Sequence, residues 1–225
     1  MSSIVKKAEK NIITVSRRDF IKFSGMAIIG AGMLGCIGPG DNKATWGFLL
    51  VDMKKCQGCA SCMLACSLVH EGVISMSRSR IQILQNSFEK WPDDLTISQC
   101  RQCVDAACLK VCPTGALHRD LFAGNVATVA IKKCIGCKQC VNACPYPPSR
   151  AIWNAEEKHS QKCDLCANSP YLGEKGGPNG KKACLEICPV NAIIFTKVIP
   201  DQQGDEGYNV NLRDEQWEKL GFPRS

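Results

Sequence analysis

The sequence is poor in aromatic residues, in histidine and in long apolar segments. Its 225 residues include only seven Phe, four Trp, three Tyr and three His, although 45% of the chain is hydrophobic. That apolar content is enough for the core of an ordinary domain, so a disordered or collagen-like chain is excluded. The composition has one excess, which is 17 cysteines. We therefore expect sulfur-bound groups to replace part of the missing aromatic packing.

The sequence also lacks the clustered positive charge of a nucleic-acid-binding protein. Its formal charge is +7, but the first 22 residues hold six basic and two acidic side chains and contribute +4 of it. The remaining 22 basic and 19 acidic residues are nearly balanced, and no Lys/Arg run exceeds two. A basic surface for nucleic acid is therefore not expected.

Motifs of bond-making chemistry are missing as well. The chain contains no dinucleotide-binding glycine pattern, phosphate loop or nucleophile motif. His70, His118 and His159 lie outside any metal-ligand spacing, and we expect helix-end or surface histidines rather than a proton relay. The sequence therefore predicts a protein that is not itself an enzyme.

The first 44 residues are predicted to be a signal peptide and linker. Ser16-Arg17-Arg18-Asp19-Phe20-Ile21-Lys22 precedes an uncharged apolar run, 23–38. This resembles a twin-arginine export signal, and the run is shorter than a spanning helix needs. Cleavage near Asn42-Lys43-Ala44, acylation at Cys36 and retention all remain open. The resemblance implies a periplasmic protein, at most associated with a membrane surface, and no later segment is apolar enough to span one.

The other sixteen cysteines fall into four groups of four, here called quartets. The first and third share the spacing C-x2-C-x2-C-x3-C, the second widens one gap to four residues, and the fourth has seventeen residues between its second and third members. A proline follows the last cysteine of the second, third and fourth quartets. The quartets are Cys56, Cys59, Cys62, Cys66; Cys100, Cys103, Cys108, Cys112; Cys134, Cys137, Cys140, Cys144; and Cys163, Cys166, Cys184, Cys188.

This spacing is typical of bacterial ferredoxins. Three thiolates two residues apart lie on one tight loop around a 4Fe-4S cluster, while the fourth, next to a proline, points to another cluster. Two other interpretations compete with this one. Disulfides suit an exported protein but do not explain the repeated spacing, and zinc favours pairs separated by a finger, as only the fourth quartet has. The twin-arginine route carries proteins already folded with their cofactors, so the clusters would be assembled on reduced thiolates in the cytosol before export.

Residues 47–195 resemble the four-cluster iron-sulfur subunits of molybdopterin oxidoreductases, the beta subunits of dimethyl sulfoxide reductase and formate dehydrogenase. The stretch from Cys56 to Ile83, with Ala65-Cys66-Ser67-Leu68-Val69-His70-Glu71-Gly72, is closer still to the iron-sulfur partners of tungsten or molybdenum aldehyde oxidoreductase-like enzymes. The resemblance implies an α+β fold of two bacterial-ferredoxin-like units in one compact body.

The same resemblance implies which cysteines share a cluster, because in that family the outer quartets form one unit and the inner quartets the other. The domain would span 45–200, with the outer unit from 47–80 and 158–200, the inner unit from 90–157, and a C-terminal tail at 201–225. Four 4Fe-4S clusters are expected. The iron ligands would be Cys56, Cys59, Cys62 and Cys188; Cys66, Cys163, Cys166 and Cys184; Cys100, Cys103, Cys108 and Cys144; and Cys112, Cys134, Cys137 and Cys140.

Local patterns predict the elements around the quartets. Residues 81–84 and 126–131 favour strands, while 115–117 and 191–195 favour short helical turns leading into strands. The glycine- and proline-rich segment 167–183 is expected to be a surface loop.

The predicted function is therefore exported electron transfer. The chain would relay single electrons between a molybdopterin or tungstopterin catalytic subunit and a quinone-linked or soluble redox partner, with a membrane quinone-reactive subunit or cytochrome as a further candidate. Two alternatives remain at this point. One is a free periplasmic polyferredoxin outside any stable complex, and the other is a zinc-bound interaction module.

Overall fold

A computed structural model describes residues 47–222 and 224. In this part of the chain, short strands and helices alternate around the cysteine motifs. The strands are β1 (Phe48–Val51), β2 (Ile81–Gln85), β3 (Leu95–Gln99), β4 (Leu117–Asp120), β5 (Val126–Val129), β6 (Ala151–Asn154), β7 (His159–Lys162) and β8 (Ile193–Thr196). The helices are α1 (Ser61–Glu71), α2 (Ala107–Lys110), α3 (Gln139–Asn142), α4 (Ala183–Glu186) and α5 (Glu215–Lys219), and 3-10 turns cover Met53–Lys55, Ile131–Lys133 and Glu206–Tyr208.

The strands form four antiparallel two-stranded ribbons that follow one rule. The strand after each quartet pairs with the strand before the next: β2 with β3, β4 with β5 and β6 with β7. The strand after the last quartet returns to the strand before the first, because β8 pairs with β1 in a register that places Ile193 opposite Val51. The described chain is thus a closed series of four similar repeats. The predicted α+β class is confirmed, whereas the predicted export signal lies outside the described residues.

The hydrophobic core lies where the outer repeats meet. Val51 and Ile193 of the closing ribbon pack with Ile97 and Leu165, all buried. Several cysteines belong to the same core, among them Cys56, Cys62, Cys66 and Cys184. Cysteine therefore occupies interior positions that larger side chains fill in an aromatic-rich domain, as the composition predicts.

The segment after residue 200, predicted as a tail, returns to this core. The Val210 amide donates to the Val51 carbonyl at 2.9 Å, and Tyr208 is fully buried. Trp217 is also buried and packs against Trp91 in a tilted arrangement, with ring centroids 6.4 Å apart. This segment therefore contributes packing to the cluster-bearing body.

Most local predictions agree with the structure, and one is wrong. Strands occupy 81–85 and 126–129, and 167–183 is a loop that is mostly exposed or half-buried, with a helix only at its last residue. The helical turns expected at 115–117 and 191–195 are absent in these described segments, where the chain makes tight turns and enters β4 and β8. The helical turns instead precede the last cysteine of each of these quartets, as α2 and α4.

Candidate iron-sulfur site

Each quartet begins with a loop whose backbone passes through the left-handed region. In the first quartet Gly58 (φ 66°) and Ala60 (φ 56°) do so, and in the third Gly136 (φ 72°) and Lys138 (φ 58°) do so. Glycine takes this conformation without strain, whereas Ala60 and Lys138 pay a steric cost. The same strained path at both loops indicates that the chain is bent to direct three sulfurs inward.

The last cysteine of every quartet accepts a hydrogen bond from the backbone at the start of the next strand. The donors are Arg80 N to Cys66 Sγ (3.4 Å), Leu117 N to Cys112 Sγ (3.3 Å), Arg150 N to Cys144 Sγ (3.2 Å) and Ala192 N to Cys188 Sγ (3.3 Å). A thiolate that carries negative charge is stabilised by such donors. The repeated bond is the observation that best matches these residues to a negatively charged iron-sulfur group.

Three of the four predicted ligand sets line cavities of their own. We name each site after its cysteines. Site 1 is lined by Cys56, Cys59, Cys62 and Cys188. Site 3 is lined by Cys100, Cys103, Cys108 and Cys144, and site 4 by Cys112, Cys134, Cys137 and Cys140. Four sulfurs spread around a cavity, three from one loop and one from another quartet, match the donor set of a 4Fe-4S cube.

Site 2 is the fourth predicted set, Cys66, Cys163, Cys166 and Cys184. The thiol of Cys184 interacts electrostatically with the other three cysteines of this set, which places all four in one neighbourhood. It also interacts with Cys62 of site 1, so sites 1 and 2 are neighbours. The structure therefore brings each predicted set together, and the assignment of ligands to clusters stays a prediction that this geometry supports.

Burial makes several of these thiols poor acids in the absence of a metal. Burial raises the pKa of Cys62 and of Cys166 to about 12 and that of Cys108 to about 11. Cys66 and Cys112 differ. Burial of Cys66 is outweighed by hydrogen bonding to His70 and by the charges of His70 and Arg80, which lower its pKa. Hydrogen bonds to the Cys112 sulfur likewise outweigh its burial and lower its pKa. Iron binding would replace these protons, so assembly of the clusters is coupled to thiol ionisation.

A buried ionic network lies beside site 2, and sequence reasoning missed it. Asp164 Oδ1 lies 3.0 Å from His70 Nε2, and Asp164 Oδ2 accepts from Arg80 at 3.0 Å. Arg80 also reaches Glu71 at 3.2 Å, and His70 Nδ1 lies 2.8 Å from the Cys66 carbonyl oxygen. Hydrogen bonding to Asp164 and Cys66 outweighs burial and raises the pKa of His70 to about 9. His70 and Asp164 are 94 residues apart, so only the fold reveals the pair.

Site 3 has its own buried cations. Lys162 is buried and interacts with Cys100 and Cys108 of site 3 and with Cys163 of site 2, which raises its pKa despite its burial. Arg150 donates its amide to Cys144, and its guanidinium lies 3.0 Å from Asp205. These side chains place positive charge where buried thiolates need it.

A neutral side chain links the two halves of the fold. Gln102 donates to the Cys163 carbonyl at 2.7 Å and accepts from the Ala127 amide at 2.9 Å. The start of the fourth quartet is thereby fixed against the loop that carries Cys100.

The histidine predictions have mixed outcomes. His118 is exposed, as expected for a surface residue, and His70 lies in the last turn of α1. The prediction that His159 is a surface residue is wrong, because His159 is buried on β7, with Nδ1 3.5 Å from Glu157 Oε2. In the described residues, the helices are all too short or too polar to cross a membrane.

Comparison with known proteins agrees with this chemistry. The 4Fe-4S dicluster domain family matches residues 94–198. The thiosulfate reductase electron transfer subunit of Salmonella typhi is 32% identical over 155 residues, 67% of this chain and 75% of the relative. Electron transport protein HydN of Escherichia coli (strain K12) is 33% identical over 65% of this chain and 86% of its own. The B subunit of the anaerobic dimethyl sulfoxide reductase of Haemophilus influenzae is 33% identical over 65% of this chain and 72% of its own.

These relatives are electron-transfer components rather than catalytic subunits, so the predictions of 4Fe-4S cofactors and of a non-enzymatic chain are confirmed. The more specific likeness of residues 56–83 to aldehyde oxidoreductase partners stays a prediction. With its cysteine repeats, its four amide-to-sulfur bonds and these similarities, the chain belongs to the family of 4Fe-4S electron-transfer subunits of molybdoenzyme type.

Proposed function

We propose that this protein is an exported subunit that carries four 4Fe-4S clusters and relays single electrons between a molybdopterin or tungstopterin catalytic subunit and a second redox partner. When bound, the clusters would supply the one-electron donor and acceptor groups. The observation that supports this most directly is the repetition among the quartets. In each of them the last cysteine accepts a hydrogen bond from a backbone amide.

The order of the sites along a path follows from shared elements. Helix α1 carries Cys62 of site 1 and Cys66 of site 2, and α4 carries Cys184 of site 2 just before Cys188 of site 1. Helices α2 and α3 contact each other and link sites 3 and 4, because α2 carries Cys108 of site 3 and α3 carries Cys140 of site 4. Lys162 lies between sites 2 and 3. The proposed path therefore runs through sites 1, 2, 3 and 4 in order.

The chain's own residues would hold, space and shield the clusters along this path. Sites 1 and 4 each include one exposed cysteine, Cys59 and Cys137, whereas Cys66 and Cys184 at site 2 are buried. An electron would therefore pass to or from outside partners most directly at sites 1 and 4. Sites 2 and 3 would exchange electrons only with their neighbours on the path.

The cofactor count is tested by analysis of protein matured in its native host. Four clusters require about sixteen irons and sixteen acid-labile sulfides per chain, a multiple of the four irons of each cube. Stoichiometric zinc, or half of that iron, would contradict the proposal. EPR of the reduced protein, with a stepwise redox titration, would then resolve the individual centres.

Export is proposed from the sequence of the first 44 residues. Conversion of Arg17 and Arg18 to Lys should retain the protein in the cytoplasm, while a Lys6→Arg/Lys7→Arg control should leave its distribution between periplasm and cytoplasm unchanged. Equal periplasmic amounts in both variants would reject the proposed signal.

The complex is tested by affinity purification from periplasmic and membrane fractions. A large subunit that carries molybdenum or tungsten should co-elute in size-exclusion chromatography, as would a quinone-reactive subunit or cytochrome if one is present. A single peak of this chain alone, with full iron content, would favour the free polyferredoxin instead.

A further inference from the structure

The surface over site 4 carries exposed positive and apolar side chains. Ile135 and Lys138 both line the site 4 cavity and are exposed, and Cys137 between them is an exposed ligand. A molecule that rests on these side chains would therefore lie directly over the proposed cluster of site 4.

The charges around this surface are mainly positive. Lys132 and Lys133 precede the motif, and all three lysines here are exposed. The sequence has no acidic residue between Asp120 and Glu156. Glu156 and Glu157 follow in the β6–β7 turn, where they face Arg78 and His159 respectively, and Lys158 adds another exposed positive charge beside them.

The lysines over site 4 also lack ion-pair partners among the described residues. In residues 47–222, no ion pair involves Lys132, Lys133 or Lys138. Lys138 instead lies over the Trp153 ring, with Nζ 4.5 Å from the ring centroid, and this contact holds its charge in place.

Exposed apolar side chains lie among these charges. Ile131 is 52% exposed and Ile135 is 66% exposed, which is high for isoleucine. An apolar centre with a charged rim is the arrangement of a protein-binding surface. We call Ile131, Lys132, Lys133, Ile135 and Lys138 the basic face.

The first quartet provides an internal comparison, because it has the same spacing and is also preceded by two lysines. There, Lys55 Nζ donates to the Leu212 carbonyl at 2.8 Å, and Lys54 lies 4.0 Å from Asp93. The residue that matches Lys138 is Ala60, and within the described chain the lining of site 1 has no charged side chain. Free positive charge is therefore not a requirement of the motif itself.

We propose that the basic face is the docking surface for an acidic redox protein, which exchanges electrons with site 4 in a transient, electrostatically steered complex. The inference deepens the proposed function and rests on it. Steering by opposite charge raises association rates about 10- to 1000-fold and weakens as salt screens the charges. One electron crosses the interface in each encounter, so the reduced chain loses one electron and the partner gains it.

The test uses the complete holoprotein, reduced and freed of reductant, and two haem proteins as probes in stopped-flow measurements. The acidic probe is the soluble haem domain of cytochrome b5, and the basic probe is cytochrome c. The second-order rate constant with the acidic probe should fall at least about tenfold when salt rises from about 20 mM to about 200 mM. The rate constant with the basic probe should not fall with salt.

Charge reversal then locates the surface. Lys132→Glu/Lys138→Glu should lower the rate constant with the acidic probe about tenfold or more at low salt and raise it with the basic probe. Lys54→Glu/Lys90→Glu changes net charge equally beside site 1, where Trp91 donates to the Cys56 carbonyl, and should keep the rate constant within about twofold of the wild type. Equal losses in both variants, or no loss in either, would overturn the proposal.

Failure of docking can be separated from failure of the proposed function. Iron content, EPR and oxidation by a small neutral quinone are measured for each variant. If the wild type lacks clusters or does not deliver electrons to the quinone, the proposed function fails. If both are intact but the probes are not distinguished, only the docking surface is rejected.

Discussion

The two central sites on the proposed path, 2 and 3, differ from the two terminal sites, 1 and 4, in the positive charge that surrounds their cysteines. Around sites 2 and 3, Arg80, Lys162 and Arg150 bring buried positive charge to the cysteines. Within the described residues, site 1 is lined without charge, and the cation at site 4, Lys138, is exposed. Water can screen a cluster at the edge of the molecule, whereas a central cluster depends on counter-charges that the fold supplies. The fold thus places its buried cations at the two sites that include no exposed cysteine.

Loss of a ligand should separate the two regions most strongly. Cys184→Ser at site 2 removes a buried ligand from the core that also holds Cys62 and Cys66, so we expect loss of more than one cluster and little soluble holoprotein. Cys137→Ser at site 4 removes an exposed ligand, and we expect loss or conversion of one centre only. Iron per chain and EPR of the reduced proteins measure the difference. Equal iron loss in the two variants would contradict the distinction between the central and the terminal sites.

The buried network beside site 2 should produce the next largest effect. Asp164→Ala leaves Arg80 and His70 without their shared partner, and removal of one member of a buried ion pair costs about 3–5 kcal/mol. Because unfolding releases the clusters, the observable is a faster loss of the cluster absorbance in denaturant. Asp93→Ala, which removes the exposed partner of Lys54, is the matched control and should stay within about 0.5 kcal/mol. Similar rates in both variants would show that the network is not stabilising.

The contrast between the regions also explains what could be predicted from the sequence. The quartets, their cofactor and the strand at 81–85 follow from local spacing and alternation, because cluster loops and strands are encoded within a few residues. The pairing of β8 with β1 and the contact of His70 with Asp164 join residues far apart in the chain. The sequence around Lys162 does not distinguish it from other charged residues. Its burial could not be predicted, because it results from the packing of β7 between sites 2 and 3.

Removal of a buried cation should shift potentials at the centre. Lys162→Met eliminates a charge next to Cys100 and Cys108, so the reduced, more negative state of site 3 becomes less favourable and its potential falls. A charge roughly 8 Å away in a protein interior is worth about 2 kcal/mol, or on the order of 50–100 mV for one electron. Lys138→Met at site 4 should shift its potential by less than about 20 mV, because solvent and salt screen an exposed charge.

Potentiometric titration followed by EPR measures both variants. A shift at site 4 as large as that at site 3 would mean that burial does not decide the influence of a cation. A rise in the potential of site 3 would contradict the proposed position of the lysine charge beside its thiolates.

A single hydrogen bond should have the smallest effect, and it should be visible only at a terminal site. The Cys140 thiol donates to Ser160 Oγ at 3.2 Å at site 4. A sulfur that binds iron as a thiolate has no proton, so the Ser160 hydroxyl would donate to it instead. A hydroxyl that donates to a ligand sulfur stabilises the reduced state, so Ser160→Ala should lower the potential of site 4 by on the order of 20–40 mV, equivalent to about 0.5–1 kcal/mol. Ser160→Thr keeps the hydroxyl and should restore most of the potential. Because Ser160 lies two residues before Lys162 on β7, an accompanying shift at site 3 would mean that the two regions are coupled through this strand rather than tuned separately.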